Sequence, residues 1–438
     1  MTTAYPVASN PARHCPCLRL STILVAIGSA LVMAIGGSAG AADRAVRDAD
    51  ELKAAIQDAM PGERIVLAPG RYRLPRIAIT RPGTAEAPIT LTAAKPGETV
   101  LEPLDSTFLQ IRAPHWTFEA LDILGDDTTE HAFHLMGPAA GTVLRGNRIR
   151  NFDSAVKSSG AGQGSERVYP NDVLLEGNAF WNERPRVANR PTNTVDVVGG
   201  RRWVLRGNFV ADFAHASRSQ TSYGMYLKGN SREGLMEGNL IICEWRHTGS
   251  LRIGLSFGGG GTGQQYCENQ DCSTEHSDGI MRNNIVSNCP EDVGIYLNKS
   301  KNTKLFHNTL MNTAGIDVRF ETSSADIRNN IILGRIKGRN GGIFTKDGNL
   351  ELGIWQSMIG AKMGEASFLF RAPEILDLRL KDAKDVADLA TPLPEAAGDF
   401  CGSKRRTRRT DLGAIDYGVG NCDVAQFHKR LVEAPWRR

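Results

Sequence analysis

Val143-Leu-Arg-Gly-Asn147-Arg-Ile149, Leu174-Leu-Glu-Gly-Asn178-Ala-Phe180, Val204-Leu-Arg-Gly-Asn208-Phe-Val210 and Leu235-Met-Glu-Gly-Asn239-Leu-Ile241 are four copies of one segment. Three looser copies follow, centred on Asn284, Asn308 and Asn330, as in Ile280-Met-Arg-Asn-Asn284-Ile-Val286. Successive asparagines are 31, 30, 31, 45, 24 and 22 residues apart. That period is the length of one coil of a β-solenoid, whose stacked coils bury an interior that no single coil could bury. The Gly-Asn or Asn-Asn pair marks a tight bend, because both residues tolerate φ > 0, and an inward asparagine can hydrogen-bond the same turn of the next coil. The pattern predicts an all-β chain, a right-handed single-stranded parallel β-helix.

Outward from the repeat, Asp50 to Met60 places Leu52, Ile56 and Ala59 at helical spacing and stops at Pro61-Gly62. This predicts a short N-terminal helix capping the first coil, where an open strand edge would invite aggregation. The β-helix domain is expected over 42–418, with an inserted loop at 258–278, C-terminal coils and a cap over 349–418 in which Leu380 to Tyr417 covers the far end, and a tail at 419–438. Residues 1–41 read as a signal peptide. Arg13 and Arg19 precede an apolar run from Leu20 to Ile35, and Ala39-Gly40-Ala41 is a small-x-small cleavage pattern. The expected location is therefore periplasmic or secreted, with no membrane span in the mature chain and a monomeric state. The formal net charge of +4 carries no nucleic-acid signature. Removal of the leader leaves six cysteines, an even number that suits an oxidising compartment, with expected pairs Cys267 with Cys272, Cys401 with Cys422 and Cys243 with Cys289. Neither a CxxC pair nor HxxxH supports zinc instead.

Several stretches resemble the family of chondroitinase B and related alginate lyases. Leu52-Lys-Ala-Ala-Ile56, Pro61-Gly-Glu-Arg-Ile-Val-Leu67, Gly70-Arg-Tyr72, Gly83-Thr84 and Ala87-Pro-Ile-Thr90 are similar to that family's cap and first coils. Leu378-Arg-Leu-Lys-Asp-Ala383 with Asp399, Arg405 and Asp411-Leu-Gly-Ala-Ile-Asp-Tyr417 resembles the closing pattern of polysaccharide-active β-helices. The resemblance implies an exported lyase that cleaves a uronate-containing, acidic polysaccharide by β-elimination. In Ile295-Tyr-Leu-Asn-Lys299-Ser300 and Gly315-Ile-Asp-Val-Arg319, it implies Lys299 as the base and Arg319 as its assistant on the next coil. The family's calcium-binding glutamates would fall at Asp292 and Gly294, so a calcium site here retains Asp292 alone, and Phe320 stands where a histidine is usual.

Strand alternation gives an independent reading. With Leu227, Phe257, Leu297, Val318 and Thr345 inward, the outward stripe contains Tyr226, Lys228, Ser256, Tyr296, Asn298, Asp317, Arg319, Phe344 and Lys346, and earlier coils add His134, Lys157 and Asp196. Cations and aromatic rings in a ladder match a linear acidic sugar chain. Elimination requires neutralising the uronate carboxylate, removing the proton beside it and expelling the glycosidic oxygen. A lysine serves as base only when its neutral form is favoured, which a nearby guanidinium does by like-charge repulsion. Arg319 is placed for that and for bidentate carboxylate contact. Lys228 with Tyr226 is a second base and acid pair, about three coils from Arg319. Tyr226, Tyr296, Asp317 and Asn298 are candidate substrate contacts. The insertion from Gly258 to His276 is either a lid bringing Tyr266, Glu268 and His276 to substrate or a surface loop pinned by Cys267 and Cys272. Asn193-Thr-Val-Asp196 lacks the paired aspartates of inverting hydrolases. A noncatalytic glycan-binding β-helix of the cell envelope is the alternative.

Overall fold

A computed structural model describes residues 43–217, 219–353 and 366–433. The leader expected at residues 1–41 lies outside the described residues. Three long parallel sheets form the faces of a right-handed β-helix. Sheet 1 has 12 strands from Asp43–Val46 to Ile343–Asp347, sheet 2 has 11 from Gly70–Leu74 to Leu350–Glu351, and sheet 3 has 10 from Ile77–Ile79 to Arg335–Arg339. Each coil contributes one strand to each sheet, and sequential coils pair in register, as in Leu144↔Leu175↔Leu205↔Met236↔Met281↔Leu305↔Ile327. These side chains are fully buried and form the continuous interior the repeat requires.

The repeat's asparagines stack in one column between sheets 1 and 2. Asn208 shows the unit. Its Nδ2 donates to Leu175 O at 2.9 Å and to Asn239 Oδ1 at 3.0 Å, and its Oδ1 accepts from Asn178 N and Nδ2, each at 3.0 Å. Each amide thereby satisfies the backbone of neighbouring coils in a place water does not reach. The ladder runs one coil past the seven copies, to Asn349, whose Oδ1 accepts from Asn330 N at 3.0 Å. The left-handed residue is the one before each ladder asparagine: Gly146, Gly177, Gly207 and Gly238 have φ near 60°, with Asn283, His307 and Asn329 in the later coils.

Helix α1 (Ala49–Asp58) starts at the Asp48 cap, whose carboxylate accepts from Glu51 N at 2.8 Å, and buries Leu52, Ala55 and Ile56 against the first coil. The C-terminal region departs from expectation. Residues 366–433 run back along the outer face of sheet 2, where Phe370, Leu378, Val386, Leu412 and Ile415 pack on Ile242, Ile285, Met311 and Leu333. They cover the later coils of this side because the outward residues there are apolar, from Ala179 and Trp181 through Phe209, Leu240 and Ile242. The expected tail carries helix α2 (Val424–Val432), whose His428 ring packs 4.6 Å from Phe209. Buried Arg405 donates to Gly413 O, Ala414 O and Asn283 Oδ1, which ties this strap to the coils. The three disulfides are Cys243–Cys289, Cys267–Cys272 and Cys401–Cys422, as expected. Among the described residues no helix is long and apolar enough to cross a membrane.

Candidate active site

Sheet 3 carries the stripe. Its strands relevant here are β1 (His131–Met136), β2 (Val156–Ser159), β3 (Asn193–Val198), β4 (Thr221–Lys228), β5 (Leu251–Phe257), β6 (Ile295–Asn298), β7 (Gly315–Arg319) and β8 (Arg335–Arg339). Register places His134, Lys157, Asp196, Tyr226, Ser256, Tyr296, Asp317 and Lys337 in one column. Asn298, Arg319 and Arg339 stand in the next column, two residues further along their strands. Lys228 and Arg319 are three coils apart, about 14 Å at one strand spacing per coil. Phe344, Thr345 and Lys346 do not belong here: their strand pairs with Ser324–Arg328 in sheet 1. The charged, glycine-containing Arg335-Ile-Lys-Gly-Arg339 is the sheet 3 strand of that coil instead.

A run of glycines shapes the floor. Gly224, Gly254 and Gly294 precede inward residues on three successive coils. A Cβ on Gly254 would lie 2.5 Å from Val286 and 2.7 Å from Gly294 O, and one on Gly294 would lie 2.9 Å from the Leu310 side chain. The alternation therefore slips at this point, with two inward residues in succession. Tyr223, Ile253 and Val293 consequently face outward beside the stripe, where the last two pack with Tyr296 and Tyr223.

Lys157, Asp196, Tyr226 and Lys228 form the first cluster. Lys157 Nζ bonds Asp196 Oδ2 at 2.5 Å. Burial opposes ionisation of Asp196, but Lys157 and Lys228 outweigh it and hold the carboxyl below the usual range. Lys228 Nζ stands 4.6 Å from the Tyr226 ring centre. Burial holds its pKa below the usual lysine range and Lys157 adds repulsion, while Asp196 works the other way. Burial, followed by Asp196, pushes the Tyr226 phenol well up, so it stays protonated. Its hydroxyl accepts from Asn193 Nδ2 at 3.0 Å, and Tyr223 stacks on its ring at 4.7 Å. On β1, burial first and then His131 and Lys157 pull His134 down to about 4.

Asn298, Lys299 and Arg319 form the second cluster. Asn298 pairs directly with Arg319, so Lys299 and Arg319 come from adjacent coils. Tyr296 OH accepts from Arg319 Nη1 and from Asn298 Nδ2, each at 3.2 Å, and so fixes both side chains. Arg319 Nε and Asn298 Oδ1 are buried without a partner. Half-buried Lys299 follows β6 in the left-handed conformation (φ 54°) and accepts at its carbonyl from Glu275 N at 2.9 Å. Buried Glu275 lies in the fields of both Lys228 and Lys299; burial raises its pKa, against the bond from Gly229 N.

Three expected contacts are corrected. His276 is fully buried, stacked 4.0 Å from the Phe257 ring with Nδ1 2.8 Å from Ser231 Oγ, because it opens a short inner strand pairing with Ser231 and Ser300. Asp317 is 1% exposed beneath Arg339, which bonds it through Nε at 3.0 and 2.8 Å and through Nη2. Tyr226 is 3% exposed and lies beneath the surface. Calcium does not fit. The Gly294 position points into the core, and the Asp317 carboxylate near Asp292 already carries Arg339. No group of three or more His, Cys, Asp or Glu side chains converges as a metal site among the described residues.

The insertion after β5 is anchored on preceding turns. Glu268 receives Arg201 Nη2 at 2.6 Å and Gly200 N at 3.3 Å, and Tyr266 O accepts from Tyr169 OH at 2.9 Å. Its start, Gly258 to Gly260, crosses the sheet 3 face. Asn193, Tyr223 and Glu275 were not among the residues expected at the site; the recurring Tyr223-Gly-Met, Ile253-Gly-Leu and Val293-Gly-Ile was the signal for the slip that exposes Tyr223.

The family model described as Chondroitinase B matches residues 46–119, N-terminal to every candidate site residue. No sequence among curated proteins matches. Among solved structures, an alginate lyase from Paenibacillus sp. str. FPU-7 is similar at 14% identity, covering 70% of this chain and 95% of its own, with a TM-score of 0.46. A rhamnogalacturonan lyase is similar at 12% identity over 68% of this chain and 82% of its own, TM-score 0.48. A pectate lyase shares 13% identity over 83% and 90%, TM-score 0.45. With the family match at its N-terminal coils, the chain is a right-handed parallel β-helix protein that resembles the chondroitinase B and alginate lyase family.

Proposed function

We propose that the protein is a polysaccharide lyase that cleaves a uronate-containing polymer by β-elimination in the Lys299 and Arg319 coils, and that it is exported. The observation that carries this reading is the pair of buried polar atoms in the floor without a partner, Arg319 Nε and Asn298 Oδ1, on side chains fixed by Tyr296 next to Lys299. Buried polar atoms are costly to leave unmet, and a sugar carboxylate with an adjacent hydroxyl supplies the acceptor and donor they lack. In this reading Arg319 takes the carboxylate and stabilises the charge that develops as Lys299 removes the proton from C5. The electron pair becomes the C4–C5 double bond and the C4–O bond breaks. The proton held by Lys299 passes to the leaving oxygen. Because the donor set does not fit calcium, the guanidinium carries the neutralisation.

A second reading places the base at Lys228, and one observation favours it: the amine is desolvated, repelled by Lys157, and stands on the Tyr226 ring. Absorbance of new unsaturated uronate ends from alginate, chondroitin, pectate and glucuronan separates the two. Loss of signal in Lys299→Ala and Arg319→Ala, with Lys228→Ala retaining it, supports the first; the reverse pattern supports the second. A chain that retains an acidic polymer without ever producing unsaturated ends is a glycan-binding protein.

A further inference from the structure

The stripe on sheet 3 is interrupted. β5 ends at Phe257, and the next residue, Gly258, in the column of Lys228 and Asn298, turns the chain outward with φ 75°. Gly259 crosses the face of Tyr226: a Cβ at this position would sit 2.8 Å from the ring carbons and 3.5 Å from Lys228 Cδ. Tyr223 OH donates to Gly259 O at 3.5 Å, and Ser256 Oγ, with no exposed surface, bonds Gly258 O and Tyr296 O. A Cβ at Gly260 would meet Asn298 Nδ2 at 3.2 Å. The far end is held by Glu268 on Arg201 and by the Cys267–Cys272 disulfide. Glycine is required here for close approach to an aromatic ring rather than for flexibility.

The two cationic clusters thus lie on opposite sides of this strap. Lys228 faces Asp196 and Lys157 on the preceding coils, and Arg319 stands on the other side of the strap, next to the coil where Lys337 and Arg339 are exposed. Resting on the lyase reading, we infer that the strap from Gly258 to Gly261 dead-ends the groove, so that the enzyme acts at a chain end and releases short products. A polymer lying along the exposed cations of β7 and β8 reaches Arg319 and meets the strap where Gly260 lies against Asn298, one coil further on, about 5 Å away. That leaves room for at most one sugar ring beyond the bond being cleaved.

The test follows viscosity and product size together with double-bond absorbance, using the mature protein on whichever of the four polymers gives unsaturated ends. The expected result is short unsaturated products from the first time points, with viscosity falling only in proportion to total cleavage. Gly259→Val, which pushes the strap off Tyr226, and Glu268→Ala, which frees its far anchor, should make viscosity fall several-fold faster per double bond formed. Early long products from the unaltered protein overturn the inference while leaving the lyase standing. The same holds if both variants, folded by circular dichroism, keep the unaltered product profile. If the variants do not fold, the product profile of the unaltered protein decides alone. Absence of unsaturated ends from all four polymers removes the lyase reading itself and the inference with it.

Discussion

Replacing Asn208 with alanine removes one rung from the middle of the asparagine ladder, and the structure sets the size of the effect. Four hydrogen bonds go: those from Asn208 Nδ2 to Leu175 O and Asn239 Oδ1, and those from Asn178 N and Nδ2 to Asn208 Oδ1. Two of the bereaved groups keep another partner, since Asn178 Nδ2 still reaches Leu144 O and Asn239 Oδ1 still accepts from Asn208 N. Asn178 N–H loses its acceptor in a fully buried position. One orphaned donor at about 1–3 kcal/mol and three lost bonds at about 0.5–1.5 kcal/mol each place the loss near 3–5 kcal/mol once non-additivity is allowed for. Arg206→Ala, two residues away, is the control. Its guanidinium bonds Glu237 at 3.0 Å but its side chain is 45% exposed, so its loss should cost under about 1 kcal/mol. Urea unfolding followed by circular dichroism measures both. Asn208→Asp should be at least as harmful as alanine, because it turns an oxygen toward Leu175 O and Asn239 Oδ1. A loss for Asn208→Ala no larger than that for Arg206→Ala would refute the view that the ladder holds the coils in register.

Gly294→Glu places a carboxylate at a position where the resemblance implies a calcium ligand, yet should create no calcium site: it should lower the unfolding midpoint and leave calcium titration by calorimetry silent, because its Cβ meets Leu310 at 2.9 Å in the core. His276 contributes a pH dependence whose sign is fixed by burial, which depresses its pKa to about 3 from 6.5. Between those values the unfolded chain binds a proton the folded one refuses, so its stabilisation is complete above about pH 6.5 and is lost on acidification, by about 1.4 kcal/mol per pH unit. Since burial raises Glu275 and Asp292 and works in the opposite direction, the check is the difference between the unaltered protein and His276→Gln in urea midpoints from pH 7 to 5.

The β-helix was legible because its sequence code is local and repeated. A Gly-Asn corner at Gly207-Asn208 needs both a left-handed residue and a buried amide, and few other pairs provide them. The disulfides were legible for a related reason: Cys243 and Cys289 occupy the same corner of successive coils. The site was legible in its columns but not in its exposure. Strict alternation puts Asp317 and Tyr226 outward, and they do point outward, but Arg339 and Gly259 lie over them. His276 was misread because a two-residue strand carries too little pattern to show its inward face. The C-terminal strap was misplaced since its closing motif specifies a contact with β-helix coils without saying which face of them is apolar.

In the proposed reaction, the glycine column accounts for neutralisation of the substrate by side chains rather than by calcium. A calcium site at the positions that the resemblance implies would need acidic residues at 292 and 294, on an outward edge. In this chain Gly224, Gly254 and Gly294 bring successive coils too close for any side chain, and the slip they cause turns Ile253 and Val293 outward into an apolar patch against Tyr296. A divalent ion on that patch would lack oxygen ligands. The same patch seats the Tyr296 ring, and its hydroxyl is what aims Arg319. One backbone feature thus removes the metal's place and, through Tyr296, orients the guanidinium that would take over its charge. Tyr296→Phe consequently separates positioning from chemistry. It should leave the fold intact and raise KM for the polymer more than it lowers kcat, because Arg319 remains present but is no longer held.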